Sequence, residues 1–272
     1  MHDDLLLILI IFNILIWQLI IVGPGCNGCY CTYERLVLIM SEGIRINKYL
    51  SEAGYCSRRQ ADKLVDRGMV KVNGHTAVQG EKVVYPDEVI VNGELVTADE
   101  KPVVLAYNKP GGIVCSTTER DNIIDHINYP VRIYPVGRLD KNSEGLILLT
   151  NQGDIMDAVL RAANYHEKEY IVKVNKDITY DFIKQMEKGV PILDTVTRPC
   201  KVHQINDRTF TIIITQGLNR QIRRMCEYFD YRVVSLRRVR IMDIKLGRLK
   251  TGEYREFSEN EINELRSKLG IR

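Results

Sequence analysis

The apolar positions of this chain change rhythm twice. From Leu5 to Val22 they run almost unbroken, with only Asn13 and Gln18 intervening, which is the length of a membrane-crossing helix. From residue 44 the rhythm is helical. Ile44, Ile46, Tyr49 and Leu50 predict a short helix ending near Gly54. Ser57 with Gln60 opens a second through a capping box, and Ala61, Leu64 and Val65 are its buried stripe. Gly68 stops that helix. Val70 and Val72 then alternate into Asn73-Gly74, a hairpin signal, and further strands are expected around residues 77–84 and 88–91.

Past a polar, turn-rich segment at 93–102, read as a linker, the rhythm shortens again. Strands are expected at 103–107 and 112–115, either side of Lys109-Pro110-Gly111, and at 145–150, 170–174, 202–205 and 210–215. Helices are expected at 155–163, 180–188, 219–229 and 259–269. Strands outnumber helices without regular alternation. The expected fold class is therefore α+β: a small helix-helix-sheet domain over 40–92, then a domain over 103–272 with a mixed, largely antiparallel sheet and flanking helices.

Composition changes the reading of the first 39 residues. They hold no lysine, and their only charged residues are Asp3, Asp4, Glu34 and Arg35. The two aspartates stand where a secretory signal needs a basic start, and no Lys/Arg cluster anchors the far side of the apolar run. Met40, by contrast, opens directly into the first amphipathic helix. Residues 1–39 are thus expected to be a mis-assigned start rather than a membrane anchor, and no membrane partner is expected. Cys26, Cys29 and Cys31 lie in this stretch without a fourth ligand at finger spacing, and the other four of the seven cysteines are scattered singly. That is no disulfide framework and fits a reducing, cytoplasmic setting.

Charge points to a partner. Lys+Arg number 38 against 35 Asp+Glu, and residues 1–39 contribute three acids and one base, so the rest is more basic than the whole. Arg45, Lys48, Arg58, Arg59, Lys63, Arg67 and Lys71 fall on or beside the two predicted helices, opposed by Glu52, Asp62 and Asp66. Such a face can neutralise phosphates, or can simply be a solvated surface. The run Arg45-Ile-Asn-Lys-Tyr-Leu-Ser-Glu-Ala-Gly-Tyr-Cys-Ser-Arg-Arg-Gln-Ala-Asp, with Val70-Lys-Val-Asn-Gly, resembles the RNA-binding module of ribosomal protein S-four. That resemblance implies a surface for structured RNA, read through backbone and shape.

Candidate chemistry concentrates in Pro135-Val-Gly-Arg-Leu-Asp-Lys-Asn-Ser-Glu-Gly-Leu-Ile-Leu-Leu-Thr-Asn, where Gly137 and Gly145 bracket a polar loop that enters an apolar strand. Asp140 lies between Arg138 and Lys141. Approach of either cation would keep it ionised, as a nucleophile, a base, or one half of a structural ion pair. Within 219–229 the spacing of Ile222, Met225, Cys226 and Phe229 turns these residues to the core and leaves Arg220, Arg223 and Arg224 off the stripe. Arg232, Arg237, Arg238, Arg240, Lys245, Arg248 and Lys250 extend the basic face downstream. No metal site is expected, since His75, His126, His166 and His203 stand apart, and Gly111-Gly112 lacks the remainder of a phosphate loop.

Gly137-Arg-Leu-Asp140 with Ser143-x-Gly-Leu resembles the catalytic motif of the pseudouridine synthases. Glu167-Lys-Glu-Tyr170-Ile-Val and Gln216-Gly-Leu-Asn-Arg-Gln-Ile-Arg-Arg-Met225 are similar to that family's second and third motifs, in the expected order. With the basic module ahead of them they resemble the RsuA-type branch, and the wording is most similar to its large-subunit ribosomal RNA enzymes. The resemblance implies site-specific isomerisation of uridine to pseudouridine in RNA, ribosomal or transfer, with no cofactor and by a monomer. It implies that Asp140 acts on the sugar, that Tyr170 lies against the flipped uracil, and that Arg223 pairs with Asp140. Arg138 would enter the space vacated by the flipped base, with Arg220 and Arg224 on phosphates. The competing expectation is a noncatalytic RNA-binding or ribosome-assembly factor on the same fold.

Overall fold

The computed structural model describes residues 43–84, 86–97, 101–117 and 119–271. The expectations for residues 1–39, for the start at Met40 and for the cysteines at 26, 29 and 31 lie outside the described residues. No helix among the described residues is long and apolar enough to cross a membrane. Contacts divide the chain into two units, with the boundary just beyond Thr97.

The first unit runs β1 (Ile44–Arg45), α1 (Ile46–Glu52), α2 (Arg58–Asp66), β2 (Val70–Val72), β3 (His75–Thr76), β4 (Lys82–Val83), β5 (Val89–Val91) and β6 (Glu94–Val96). The capping box forms as read: Gln60 N–H donates to Ser57 Oγ, and Ser57 N–H donates to Gln60 Oε1. Asn73 and Gly74 both take positive φ, 48° and 84°, the pair of angles that closes a two-residue hairpin. Ile46, Leu50, Ala61, Val65, Val70, Val72, Val89 and Val91 are buried together with almost no exposure. The linker expectation at 93–102 is corrected here. Asn92 and Gly93 make a second positive-φ turn that folds β6 back antiparallel on β5, so the module extends past residue 92. Glu94-Leu-Val is too short and too polar for its pattern to declare a strand.

The second unit carries β7 (Val104–Lys109), α3 (Ile123–Ile127), β8 (Tyr134–Pro135), β9 (Glu144–Thr150), α4 (Gly153–Leu160), β10 (Lys168–Val174) and α5 (Tyr180–Lys188). It continues with β11 (Pro191–Ile192), β12 (Thr195–Val196), β13 (Lys201–Asn206), β14 (Thr209–Ile214), α6 (Gln221–Tyr228), β15 (Val233–Ile241), β16 (Ile244–Lys245), β17 (Tyr254–Glu256) and α7 (Glu259–Lys268). The sheet order is β13-β14-β10-β15-β9-β7-β17, with β8 on β9 and β16 on β15. Every pairing is antiparallel except β9 with β15, so the expected mixed, largely antiparallel sheet with flanking helices is the observed one. The strand expected at 112–115 is only an isolated bridge from Val114 to Asn122, because Gly111 and Gly112 keep that segment in a turn.

The central strands are covered on both faces, which is why they read as continuous apolar runs. Leu105, Tyr107, Ile147 and Leu149 join Tyr170, Phe182, Met186, Ile222 and Met225 in one core. Val104, Ala106, Leu146 and Leu148 join Ile155, Val159, Ile262 and Leu265 in the other. Helices α5 and α6 therefore cover one face, and α4 and α7 the opposite one. Each fully buried aliphatic side chain is worth about 1.5–3 kcal/mol, and Leu146 through Leu149 are all at zero exposure.

Where β9 meets β15, Gly145 pairs with Arg238. Gly145 has φ 99°, and a Cβ there would sit 2.2 Å from Arg238 O and 2.8 Å from Arg238 N. Only glycine fits, on both counts. Gly145→Ala should therefore cost roughly 3 kcal/mol or more by separating two central strands. The check is the midpoint of urea unfolding; a variant within 1 kcal/mol of the parent would contradict this account.

Candidate active site

A single row of paired residues crosses four neighbouring strands: Tyr170 on β10 opposite Arg238 on β15, Arg238 opposite Gly145 on β9, and Gly145 opposite Lys109 on β7. The Tyr170 and Arg238 side chains line a cleft of about 580 Å³, with Asp140, Ser143, Lys168 and Arg220 among its other walls.

Asp140 is held on the loop between Gly137 and β9, which is fastened at several points. Ser143 N–H donates to Asp140 O at 2.9 Å, Gly112 N–H to Lys141 O at 2.8 Å, and Leu139 N–H to the Cys115 sulfur at 3.3 Å. Beneath it lies Lys109, whose side chain is wholly buried. Its Nζ donates to Pro110 O at 2.8 Å, Lys141 O at 3.2 Å and Ser143 O at 2.8 Å. Three carbonyls thus take the three N–H bonds of the ammonium form. Burial pushes the Lys109 pKa down, and the nearby Cys115, Glu144 and Asp140 oppose that shift. Sequence reasoning saw Lys109-Pro110-Gly111 only as a turn; nothing in the local pattern Val-Leu-Ala-Tyr-Asn-Lys marks the lysine that ends the strand as buried.

The cations at Asp140 are not its chain neighbours. Arg223 Nε lies 3.6 Å from Asp140 Oδ2 and Arg220 Nη1 lies 4.0 Å from it, while Arg138 is exposed on the cleft wall and makes no ion pair with Asp140 among the described residues. Arg223 departs from the expectation that it would sit off the buried stripe. It is 8% exposed, drawn inward because its Nη2 donates to Asn142 O at 3.2 Å and Ser143 Oγ at 3.3 Å, and its Nη1 reaches Val233 O at 3.5 Å. Its Nε has no hydrogen-bond partner; it points at the carboxylate from just beyond bonding range, and such contacts tighten when substrate fills a site. Arg220 takes positive φ, 50°, at the N-cap of α6, which starts the helix two residues later than predicted. Arg224 turns back onto Asn219, bonding its carbonyl and its side-chain oxygen.

Tyr170, 7% exposed, receives a hydrogen bond on its hydroxyl from Arg238 Nη1 at 3.4 Å. Arg238 itself is 3% exposed; its Nε donates to Leu146 O at 2.6 Å and its Nη2 has no partner. The expected basic face downstream of Arg232 is therefore corrected at two positions. Arg238 is buried inside the site, and Arg240 is bound by Glu167 at 2.9 Å and Glu169 at 2.8 Å. Arg232, Arg237, Lys245, Arg248 and Lys250 remain exposed. Lys168, two residues before Tyr170, donates to His166 O, and burial with the nearby Arg238 charge pushes its pKa down. No cluster of three or more metal-ligating side chains occurs among the described residues.

In the first unit Arg45, Arg58, Arg59 and Lys63 are exposed and Lys48 is half-buried. The acids beside them are occupied by neutral donors: Asp62 accepts from Asn47 at 2.8 Å, and Asp66 accepts from Gln79 at 2.8 Å. Among the described residues, neither Arg58 nor Arg59 forms a salt bridge with Asp62 or Asp66.

Residues 103–228 match the family described as RNA pseudouridylate synthase, and residues 44–90 match the S4 domain. Over 232 residues the chain is 51% identical to the dual-specificity RNA pseudouridine synthase RluF of Salmonella typhi, covering 84% of this chain and 80% of that one. It is 34% identical to the ribosomal large subunit pseudouridine synthase B of Bacillus subtilis, covering 82% and 96%. A solved crystal structure of a pseudouridylate synthase superposes with a TM-score of 0.61 at 29% identity, covering 82% of this chain and 99% of that one.

The geometry makes Arg223 a fork between the loop and the Asp140 carboxylate. Arg223→Lys keeps the charge but cannot reach both, so the saturating rate should fall about 100-fold or more while RNA affinity stays within about threefold. Single-turnover kinetics at saturating enzyme check this; an unchanged rate would remove Arg223 from the site.

Proposed function

The chain belongs to the RNA pseudouridylate synthase family and isomerises uridine to pseudouridine in RNA, and from that premise we propose that Asp140 is the residue that acts on the target nucleoside, within large-subunit (23S) ribosomal RNA. The observation that carries the residue assignment is the position of Asp140: a carboxylate on a loop fastened by buried Lys109 and Arg223, lining a cleft that Tyr170 also lines. The name of the Bacillus relative supports a ribosomal target, and the dual specificity in the name of the RluF relatives leaves room for a second RNA, for which transfer RNA is our candidate.

The reaction breaks C1′–N1, turns the uracil and forms C1′–C5; a proton leaves C5 and one is gained at N1, so atoms and electrons balance within the substrate. We assign no cofactor for that reason. Asp140 works on the sugar, by attack at C1′ or by removal of the C2′ proton. Arg223 and Arg220 beside it stabilise its charge and orient it. The uridine must leave its stack, at a cost of a few kcal/mol, and the Tyr170 ring offers the flipped base a flat apolar surface while Arg238 holds its hydroxyl in place. Exposed Arg138 is suited to fill the vacated position in the RNA. All these groups come from one chain, so a monomer suffices. The buried Cys115 and Cys226 thiols form no disulfide, which suits the reducing cytoplasm we propose as the setting.

Two measurements test the reading. Asp140→Asn should abolish pseudouridine formation and leave RNA affinity within about tenfold, since neutralising one loop carboxylate leaves the phosphate contacts intact; retained turnover would overturn the assignment. Replacing Arg58 and Arg59 with Ala should weaken binding and make the slope of log affinity against log salt shallower by about 0.7–0.9 per lost phosphate contact, with the saturating rate little changed. An unaltered slope would mean those arginines are merely solvated. Mapping of pseudouridines in ribosomal and transfer RNA from a deletion strain identifies the target.

A further inference from the structure

Where the chain passes from α4 to β10, Tyr165 is 59% exposed and directly precedes His166, which lines the cleft. It ends a short 3-10 turn (Ala162–Asn164) with φ 51° and ψ 30°, a left-handed conformation that is uncommon and unfavourable for a bulky residue. The turn is tied down, since Asn164 N–H donates to Arg161 O at 3.0 Å and Asn164 Nδ2 donates to Ala158 O at 2.8 Å. The Arg198 guanidinium lies over the Tyr165 ring at 4.0 Å from its centroid. Arg198 in turn is anchored to the cleft wall: its N–H donates to Gln216 Oε1 at 2.8 Å and its Nη1 to Thr215 O at 3.3 Å. Thr215 and Gln216 line the cleft, as do Arg161 and His166 on either side of Tyr165.

We propose that Tyr165, backed by Arg198, is a stacking platform for an unpaired nucleobase next to the target uridine. The physical need arises from the reaction. Flipping one base removes a stacking partner from each of its neighbours, and that lost contact is part of the energetic cost of entering the cleft. A flat ring at the rim restores one such contact. Aromatic rings and arginine planes are the surfaces on which proteins receive unstacked RNA bases. The two are already stacked here, so the base completes a three-layer stack whose cation also draws the flanking phosphates. The strained backbone at Tyr165 is then explained as the means of presenting the ring outward. The inference rests on the assignment of this cleft as the place where uridine is turned.

The test uses the full chain and a large-subunit ribosomal RNA hairpin carrying the mapped target uridine, together with a series in which each nucleotide within three of the target is made abasic in turn. Turnover by the parent protein and its loss in Asp140→Asn are measured on the same hairpin, so that failure of the cleft assignment is seen separately. Tyr165→Ala and Tyr165→Leu should each weaken binding roughly tenfold, with the saturating rate nearly unchanged and the salt slope unaltered, because stacking releases no counterions. Tyr165→Trp should bind at least as well as the parent. At one abasic position the parent should lose the same roughly tenfold, and there Tyr165→Ala should cost nothing more. Full affinity in Tyr165→Ala would overturn the proposal. So would an equal loss on every abasic hairpin, which would make Tyr165 a backbone contact, and so would a Leu variant that binds like the parent, which would show that a flat ring is not required.

Discussion

The backbone contact between Gly145 and Arg238 is the constraint on which the site depends. It is the point where the sheet's one parallel pairing joins β9 to β15, and it is too close for any side chain on β9. On one side it fixes the strand that the Asp140 loop enters. On the other it fixes the residue that holds the Tyr170 hydroxyl, since Arg238 is paired to Tyr170 across β10. The Arg238 side chain also closes on β9 itself through Leu146 O. Carboxylate and aromatic, separated by thirty residues of chain, are thereby referred to the same pair of strands, with Asp140 held on the fastened loop that enters β9.

Around that point the protein buries three cationic side chains, Lys109, Arg223 and Arg238, and burial of charge is costly unless it is met by hydrogen bonds. Each is met chiefly by backbone carbonyls: those of Pro110, Lys141 and Ser143 for Lys109, of Asn142 and Val233 for Arg223, and of Leu146 for Arg238. The Asn142 and Ser143 carbonyls of the loop find their side-chain donors in these cations. Lys109 and Arg223 therefore serve two ends at once, satisfying irregular backbone where water is excluded and placing positive charge near Asp140. A neutral donor in their place could do the first but not the second.

Much of this was legible in the chain. The α5 and α7 patterns, the capping box at Ser57, the hairpin at Asn73-Gly74 and the long apolar strands all follow local rules with nothing competing. The motif order brought Asp140, Tyr170 and Arg223 together before any coordinates. What escaped follows from long-range packing. The strand β15, Val-Val-Ser-Leu-Arg-Arg-Val-Arg-Ile, hides its alternation because Arg238 points inward and Arg240 is held by Glu167 and Glu169, so a run of arginines reads as a basic surface. Lys109 is invisible for the same reason, a charge at a core position whose justification is the carbonyl cage contributed by residues 141 and 143. Arg223 sits off the apolar stripe of α6 by spacing, yet it is buried because the loop before β9 packs over it. In each case the deviation from binary pattern marks a residue of the site.

The two units divide the recognition of RNA along physical lines. Arg58 and Arg59 are exposed, and charges of that kind act through phosphate neutralisation and are screened within about 8–10 Å at ordinary salt. They can raise the local concentration of any structured RNA but cannot choose a nucleotide. The cleft is a different case. Arg223 and Arg238 within it are buried and engaged, its Tyr170 and Arg238 walls are held by the sheet, and a uridine is expected to enter it more readily where the neighbouring bases tolerate the loss of their stacked partner. Selection of the target is thus expected to lie in the local stability of the RNA around the uridine and in the surfaces at the rim that receive the bases it leaves behind. With Asp140 acting as proposed, its chemistry is the same for every uridine that can reach it, which places selection of the target outside the carboxylate and the cations that hold it.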